Sequence, residues 1–279
     1  MAHLLRLGTN ILRVGDNLFG VKDKFTYQLS AAVTGYNSPQ GIGLDITNNR
    51  YFVANGGTGT VLVRNATTGA AVSTISGFSN PQGIGMDIAN GRFFVANFGA
   101  NTVSVVSLAT LAITSTITGF NGPRGVVLDS VNNRLLVCNY SNNTVAVVNA
   151  TTLAISSSIT GFTTPYGIGL DSANNRFFVA NFTGNTVSVV NATTLAIASS
   201  IASVTSPVGI GVDMANSRIY VGTYTPNTVT VIHEGTLAVL STITSFSGTG
   251  FIAIDSANSR FLVVNIAGNS VVSVSQTST

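Results

Sequence analysis

Charge is scarce in this chain: Asp, Glu, Lys and Arg make up 8% of its residues. Only two lysines are present, Lys22 and Lys24, and twelve bases face nine acids. So thin a field, without clustered Lys and Arg, excludes nucleic acid as a partner. One cysteine, Cys138, allows neither an internal disulfide nor a cysteine metal cluster. No window reaches the roughly 18 apolar residues of a membrane span. The opening MAHLLRLGTNILRVGDNLFG lacks an uninterrupted apolar stretch and a small-residue cleavage site. The expectation is a chain that stays in the cell that makes it, or leaves by a route needing no secretory signal.

What is plentiful is Val, Ile, Ala, Ser, Thr and Asn, with 29 Gly, a strand-and-turn composition. An internal period organises it. Asp45, Asp87, Asp129, Asp171, Asp213 and Asp255 are spaced by 42 residues without insertion or deletion. Arg50, Arg92, Arg134, Arg176, Arg218 and Arg260 each follow five residues later. Pro39, Pro81, Pro123, Pro165 and Pro207 open the units, with Thr249 in the last. Cys138 replaces the repeat's Ala54, Ala96 and Ala180, a small buried strand position.

Each unit alternates strand and turn signals. In the fourth, strands are predicted over Gly167–Asp171, Arg176–Asn181, Thr186–Asn191 and Leu195–Ala202. Four antiparallel strands per unit of roughly 40 residues is the arithmetic of a propeller blade. The 3.6-residue apolar rhythm of helical repeats is missing. The predicted fold is all-β, a six-bladed β-propeller over residues 25–279 preceded by an arm at 1–24. The sixth unit stops after its third strand, Asn269–Ser275. Tyr27–Thr34, followed by GYNSP, aligns with the fourth strands and is predicted to close the last blade, leaving no orphan edge.

RFFVANFTGNTVSVVNATTLA, RFFVANFGANTVSVVSLATLA and RLLVCNYSNNTVAVVNATTLA resemble the YVTN-type, NHL-like β-propeller repeat, with VAN or VCN where that motif has VTN. The resemblance covers about residues 36–275. It implies the propeller fold; the family's functions range over surface-layer proteins, cytochrome-associated domains and binding proteins.

Six Asp/Arg pairs flank one hairpin per unit. They are read as ion pairs and turn caps repeated for stability, since catalytic groups need no six equivalent copies. The turn after each second strand lies on the opposite face and starts with Gly56, Phe98, Tyr140, Phe182, Tyr224 or Ile266. The residues after the unit-opening position reach the same face: Gln40, Gln82, Arg124, Tyr166, Val208 and Gly250. Candidate ligand contacts are therefore Arg124, Tyr166, Gln40, Gln82, Phe98, Tyr140, Phe182 and Tyr224. Phenols, rings and amides suit a carbohydrate or a protein loop; alternatively the rings cover the loops beneath them. This face has no Asp or Glu, which argues against calcium-dependent hydrolase chemistry. Lactonase- or hydrolase-like activity is disfavoured, and no cofactor or metal is expected. His233 is read as an exposed structural histidine.

The arm repeats LLRLGTN, ILRVGDN and LFGVKDK over Leu4–Asn10, Ile11–Asn17 and Leu18–Lys24. Recurring Gly8 and Gly15 disfavour a coiled coil and favour short β-rungs. Too few rungs are present to bury a core, so a protein partner or further copies of the chain are expected there. Two readings follow. One is a binding or adhesion module presented on an extracellular or viral assembly. The other is a purely structural virion or surface-layer component.

Overall fold

The computed structural model describes residues 4–7, 10–13 and 25–278. Each unit forms one antiparallel sheet. In the fourth its strands are Pro165–Asp171, Arg176–Asn181, Thr186–Asn191 and Ile197–Ile201, bonded in that order. Six such sheets stand in a ring. Successive first strands pack side by side, and Thr249–Asp255 of the sixth returns to Pro39–Asp45 of the first. The fold is a six-bladed all-β propeller with its first strands around the axis.

Burial follows from that arrangement. Second strands such as Arg176–Asn181 are covered by a blade on either side, so RFFVAN is apolar on both faces. Fourth strands such as Ile197–Ile201 form the rim and bury only their last residue. The core is accordingly a set of seams between blades. One gathers Phe178, Val187 and Ile201 of the fourth blade with Ile210, Ile219 and Val221 of the fifth. The asparagine of VAN has a positional role. Asn55, Asn139 and Asn181 accept, through Oδ1, the backbone N–H of Asn37, Asn121 and Thr163 at 3.1 Å, tying each second strand to the loop entering its blade.

At the axis, backbone meets backbone. A Cβ added at Gly41, Gly83, Gly125, Gly167 or Gly209 would lie 2.0, 2.3, 2.7, 1.9 or 2.4 Å from the carbonyl oxygen of Gln82, Arg124, Tyr166, Val208 or Gly250. Glycine is required there because only it permits such approach. The sixth unit carries Phe251 in this column.

The last blade is closed by the N-terminal strand Phe25–Leu29, paired with Ser270–Ser278 so that Phe25 faces Ser278 and Leu29 faces Val274. It starts and ends earlier than the predicted Tyr27–Thr34; beyond Leu29 only a bridge between Val33 and Val271 continues the pairing. The predicted strand at Leu195–Ala202 is also shorter. Leu195 has φ 60°, a left-handed turn conformation, held by packing against the seam next to it. In the arm, Leu4–Leu7 pairs with Asn10–Arg13 as an antiparallel hairpin. Asn10, the last residue of the first predicted rung, thus opens the second strand, and the third rung lies outside the described residues.

The Asp/Arg columns join blades as well as hairpins. Arg50, Arg92, Arg176 and Arg260 place Nε 2.7–2.8 Å from Asp45, Asp87, Asp171 and Asp255, and Arg134 its Nη2 2.8 Å from Asp129. The carboxylates are almost wholly buried. Each of these arginines also donates Nη2 to a carbonyl in the turn before the fourth strand of the next blade: Leu108, Ala150, Ala192, Glu234 and, from Arg260, Ala66. In the sixth blade the chain has no such turn, because its third and fourth strands come from opposite ends of the sequence. Gln276 fills the place, donating Nε2 to Asp213 at 2.8 Å and accepting from the Tyr220 hydroxyl. Arg218 lies with its guanidinium 5.4 Å from the Phe25 ring and donates to the Ser217 carbonyl.

Two outcomes are expected. Asp129→Asn should lower stability by about 1–3 kcal/mol, the scale of a charge-assisted hydrogen bond, in denaturant unfolding. Removing residues 1–24 should leave a folded propeller, whereas removing 1–35 should uncover the long strand Ser270–Ser278 and give a protein that aggregates or melts far earlier. Equal melting temperatures for the two truncations would refute closure by Phe25–Leu29.

Candidate functional site

The face opposite the Asp/Arg turns owes its geometry to a β-bulge in every first strand. Pro165 pairs with Asn181 and Ile168 with Val179, so Tyr166 and Gly167 together oppose one residue, Ala180. The same irregularity follows Pro39, Pro81, Pro123, Pro207 and Thr249. A bulge re-aims a side chain. Here the glycine takes the close backbone contact and the residue before it gathers with its counterparts at the mouth of the axis.

All eight candidate residues join one network there. The Arg124 guanidinium carbon lies 4.5, 4.4 and 4.2 Å from the ring centres of Phe98, Tyr140 and Tyr166. Its Nη1 donates to Gln82 Oε1 at 2.9 Å. The Tyr166 hydroxyl reaches across the axis to Gln40 Oε1 of the opposite blade, at 3.4 Å. Ring contacts with centres 5.7–6.5 Å apart run from Phe98 to Tyr140, Tyr166, Phe182 and Tyr224. Such edge and tilted contacts are favourable for aromatic pairs.

The network has two levels. Tyr166, Gln40 and Gln82 are its floor, 8%, 9% and 3% exposed. Their polar atoms are engaged inside: Gln82 Nε2 donates to Asn80, Gln40 Nε2 to Ser38. Burial, outweighing the attraction of Arg124, raises the Tyr166 pKa and keeps it a neutral phenol. Phe98, Tyr140, Phe182 and Arg124 are half-buried, and Tyr224 is exposed. Phe251, which the sequence reading missed, packs 5.9 Å from Tyr166 and helps fill the axis. Its signal was available as the one large residue in a column of glycines.

A family model described as a YNCE-like β-propeller matches residues 60–279. The chain belongs to the YNCE-like β-propeller family. Among solved structures, Kuenenia stuttgartiensis hydrazine synthase is similar in fold, with a TM-score of 0.69 and 11% identity over 88% of this chain and 97% of that one. In all, 1516 solved chains match, so the architecture by itself selects no function. No curated protein matches the chain.

On the opposite face of this YNCE-like propeller, the fourth seam differs from the rest. Glu234 stands where the first four units carry Ala66, Leu108, Ala150 and Ala192 and the sixth Gln276, and it is buried. It accepts from Asn174 and lies 3.6 Å from Arg176 Nη2. Burial, and then Asp171 beside it, push its pKa up. Burial acts the same way on Asp171, but hydrogen bonds from Arg176, Glu234 and Asn174 outweigh it and hold that carboxyl below the usual range. His233 is a turn cap rather than a fully exposed side chain: Nδ1 accepts the N–H of Gly235 and Thr236 at 3.1 and 3.2 Å, as Asn191 Oδ1 does for Thr193 and Thr194. The same face exposes Ile46, Ile88 and Met214 at hairpin tips near the axis, where the third, fourth and sixth units carry Ser130, Ser172 and Ser256, and Val131 is exposed beside Ser130. Among the described residues no three of His, Cys, Asp and Glu come together.

Burial, then Arg218, lowers the His233 pKa, so folding favours the neutral ring that caps the turn. Its contribution to stability is complete above the unfolded-state pKa and is lost as pH falls through the lower folded value. Glu234 runs oppositely, its contribution fading as pH rises through its raised pKa. His233→Asn keeps the cap and removes the titration. Melting temperature measured from pH 8 down should therefore fall in the wild type relative to the variant below about pH 6.5. Parallel curves would assign the acid slope to carboxylates alone.

Proposed function

We propose that this chain is a non-enzymatic binding module, presented on a larger extracellular or viral assembly through residues 1–24. The observation that carries the reading is the convergence of all eight candidate residues into one network on one face, with its rings partly open to solvent. The face offers rings, phenols and one guanidinium, which recognise ligands but supply neither a nucleophile nor a general base near neutral pH. The six repeated carboxylates sit on the other face: Asp45, Asp87, Asp129, Asp171 and Asp255 are bound to arginines, and Asp213 accepts from Gln276.

A structural component without a ligand is the second reading. It is favoured by the mutual satisfaction of Tyr166, Gln40 and Gln82, which close the axis whether or not anything docks. Alanine substitutions separate the two. Tyr140→Ala and Tyr224→Ala should each weaken a ligand found by glycan or protein screening by at least about 1 kcal/mol, with the melting temperature little changed. Tyr166→Ala should lower both affinity and stability, because its ring is part of the floor. Unaltered binding in all three variants would leave the network as axis packing only.

A further inference from the structure

Between residue 25 and residue 279 every acid lies among the Asp/Arg turns or, as Glu234, beside them. Among the described propeller residues the aromatic face contains no acid, and Arg124 is its single charged side chain. Arg124 forms no ion pair among the described residues, unlike Arg50, Arg92, Arg134, Arg176 and Arg260 of the repeat. Around it stand the rings of Phe98, Tyr140 and Tyr166, the Tyr166 hydroxyl and the Gln82 amide oxygen, all of them neutral groups.

Rings and amide do different things for a guanidinium. Aromatic faces stabilise its charge from above and below the plane. The N–H groups point outward in the plane and need acceptors there. Gln82 supplies one; Nε is buried and has no acceptor, and Nη1 and Nη2 retain further N–H groups. The rings also fix the fork before any ligand arrives, so little rotamer freedom remains to be lost on binding. An oriented, uncompensated guanidinium on a face without acids is complementary to a carboxylate.

The rest of the face defines what accompanies that charge. The phenol oxygens of Tyr140 and Tyr224 make no hydrogen bond among the described residues, and Tyr224 is 39% exposed. Around the rings the loops carry Ser, Thr, Asn and Gly, including Asn101, Ser141, Asn143 and Thr183. A multiply charged acidic peptide would find a single cation here. A hydroxyl-rich molecule finds ring faces for its C–H surfaces and hydroxyls and amides for its polar edges. We propose, resting on the reading of this face as a binding surface, that it takes an acidic saccharide, with one sugar carboxylate on Arg124 and neighbouring sugar faces on Tyr140, Phe182 and Tyr224.

The test uses the full chain on an array of uronic- and sialic-acid glycans, each paired with its carboxyl-esterified form, beside neutral glycans. An acid form should bind about 10- to 100-fold more tightly than its ester, the scale of a charge-assisted hydrogen bond. Arg124→Gln should erase that difference; Arg124→Lys, which keeps charge but not the fork, should retain part of it. Melting curves verify that both variants fold. Should Arg124→Gln unfold, the acid-to-ester ratio of the wild type still decides. Equal binding of acid and ester, with loss in Tyr140→Ala, would overturn the acidic ligand and leave the binding face standing. No binding of any acidic glycan would overturn the proposal outright, leaving the face to be judged by protein partners. Acid-selective binding that survives Arg124→Gln would place the carboxylate elsewhere and overturn it too.

Discussion

Where the innermost strands meet, the backbone of each blade lies against carbonyl oxygens of the next, closely enough that any side chain at Gly41, Gly83, Gly125, Gly167 or Gly209 would collide. That contact sets the radius of the ring. The residue before each glycine is displaced by its bulge and must pack with its counterparts above. The sixth unit shifts the arrangement by one place: Gly209 meets Gly250, Gly250 meets the Gln40 carbonyl, and Phe251 occupies the freed volume. The aromatic network is therefore a consequence of how tightly the ring is drawn.

The same economy of space shapes the charges. Asp45, Asp87, Asp129, Asp171 and Asp255 are each matched by the arginine of their own hairpin, and those five arginines use their second nitrogen to hold the following blade. Charge in this protein is largely consumed in joining blades. That is why the surface is so weakly charged and why one unmatched guanidinium alters the character of a whole face. At the closing seam, where chain ends replace a turn, the amide of Gln276 takes over.

Much of this was legible in the sequence. The Asp and Arg columns repeat at a 42-residue period without gaps, so blade number, strand order and closure followed from alignment of the chain with itself. Local patterns repeated six times leave little room for another register. The bulges were not legible, because PYGIGLD reads as an unbroken strand and only its partner reveals the extra residue. Nor was the fate of Gln40, whose oxygen is claimed by Tyr166 from the far side of the ring. Leu195 read as strand since its apolar character suits one; the left-handed turn is imposed by the seam into which it packs. The burial of Glu234 was not legible either, because it depends on a hairpin in the previous blade.

Phe25 and Ser278 face one another at the start of the closing strand, on the side of the Asp/Arg turns. Phe25 and Ser278 thus lie on the side of the disc where Ile46, Ile88 and Met214 are also uncovered. This gives the molecule a sidedness that its near six-fold symmetry conceals. A tether at either terminus, natural or introduced, holds the disc by its back. The aromatic side is the face opposite the one at which the closing pair Phe25 and Ser278 stands.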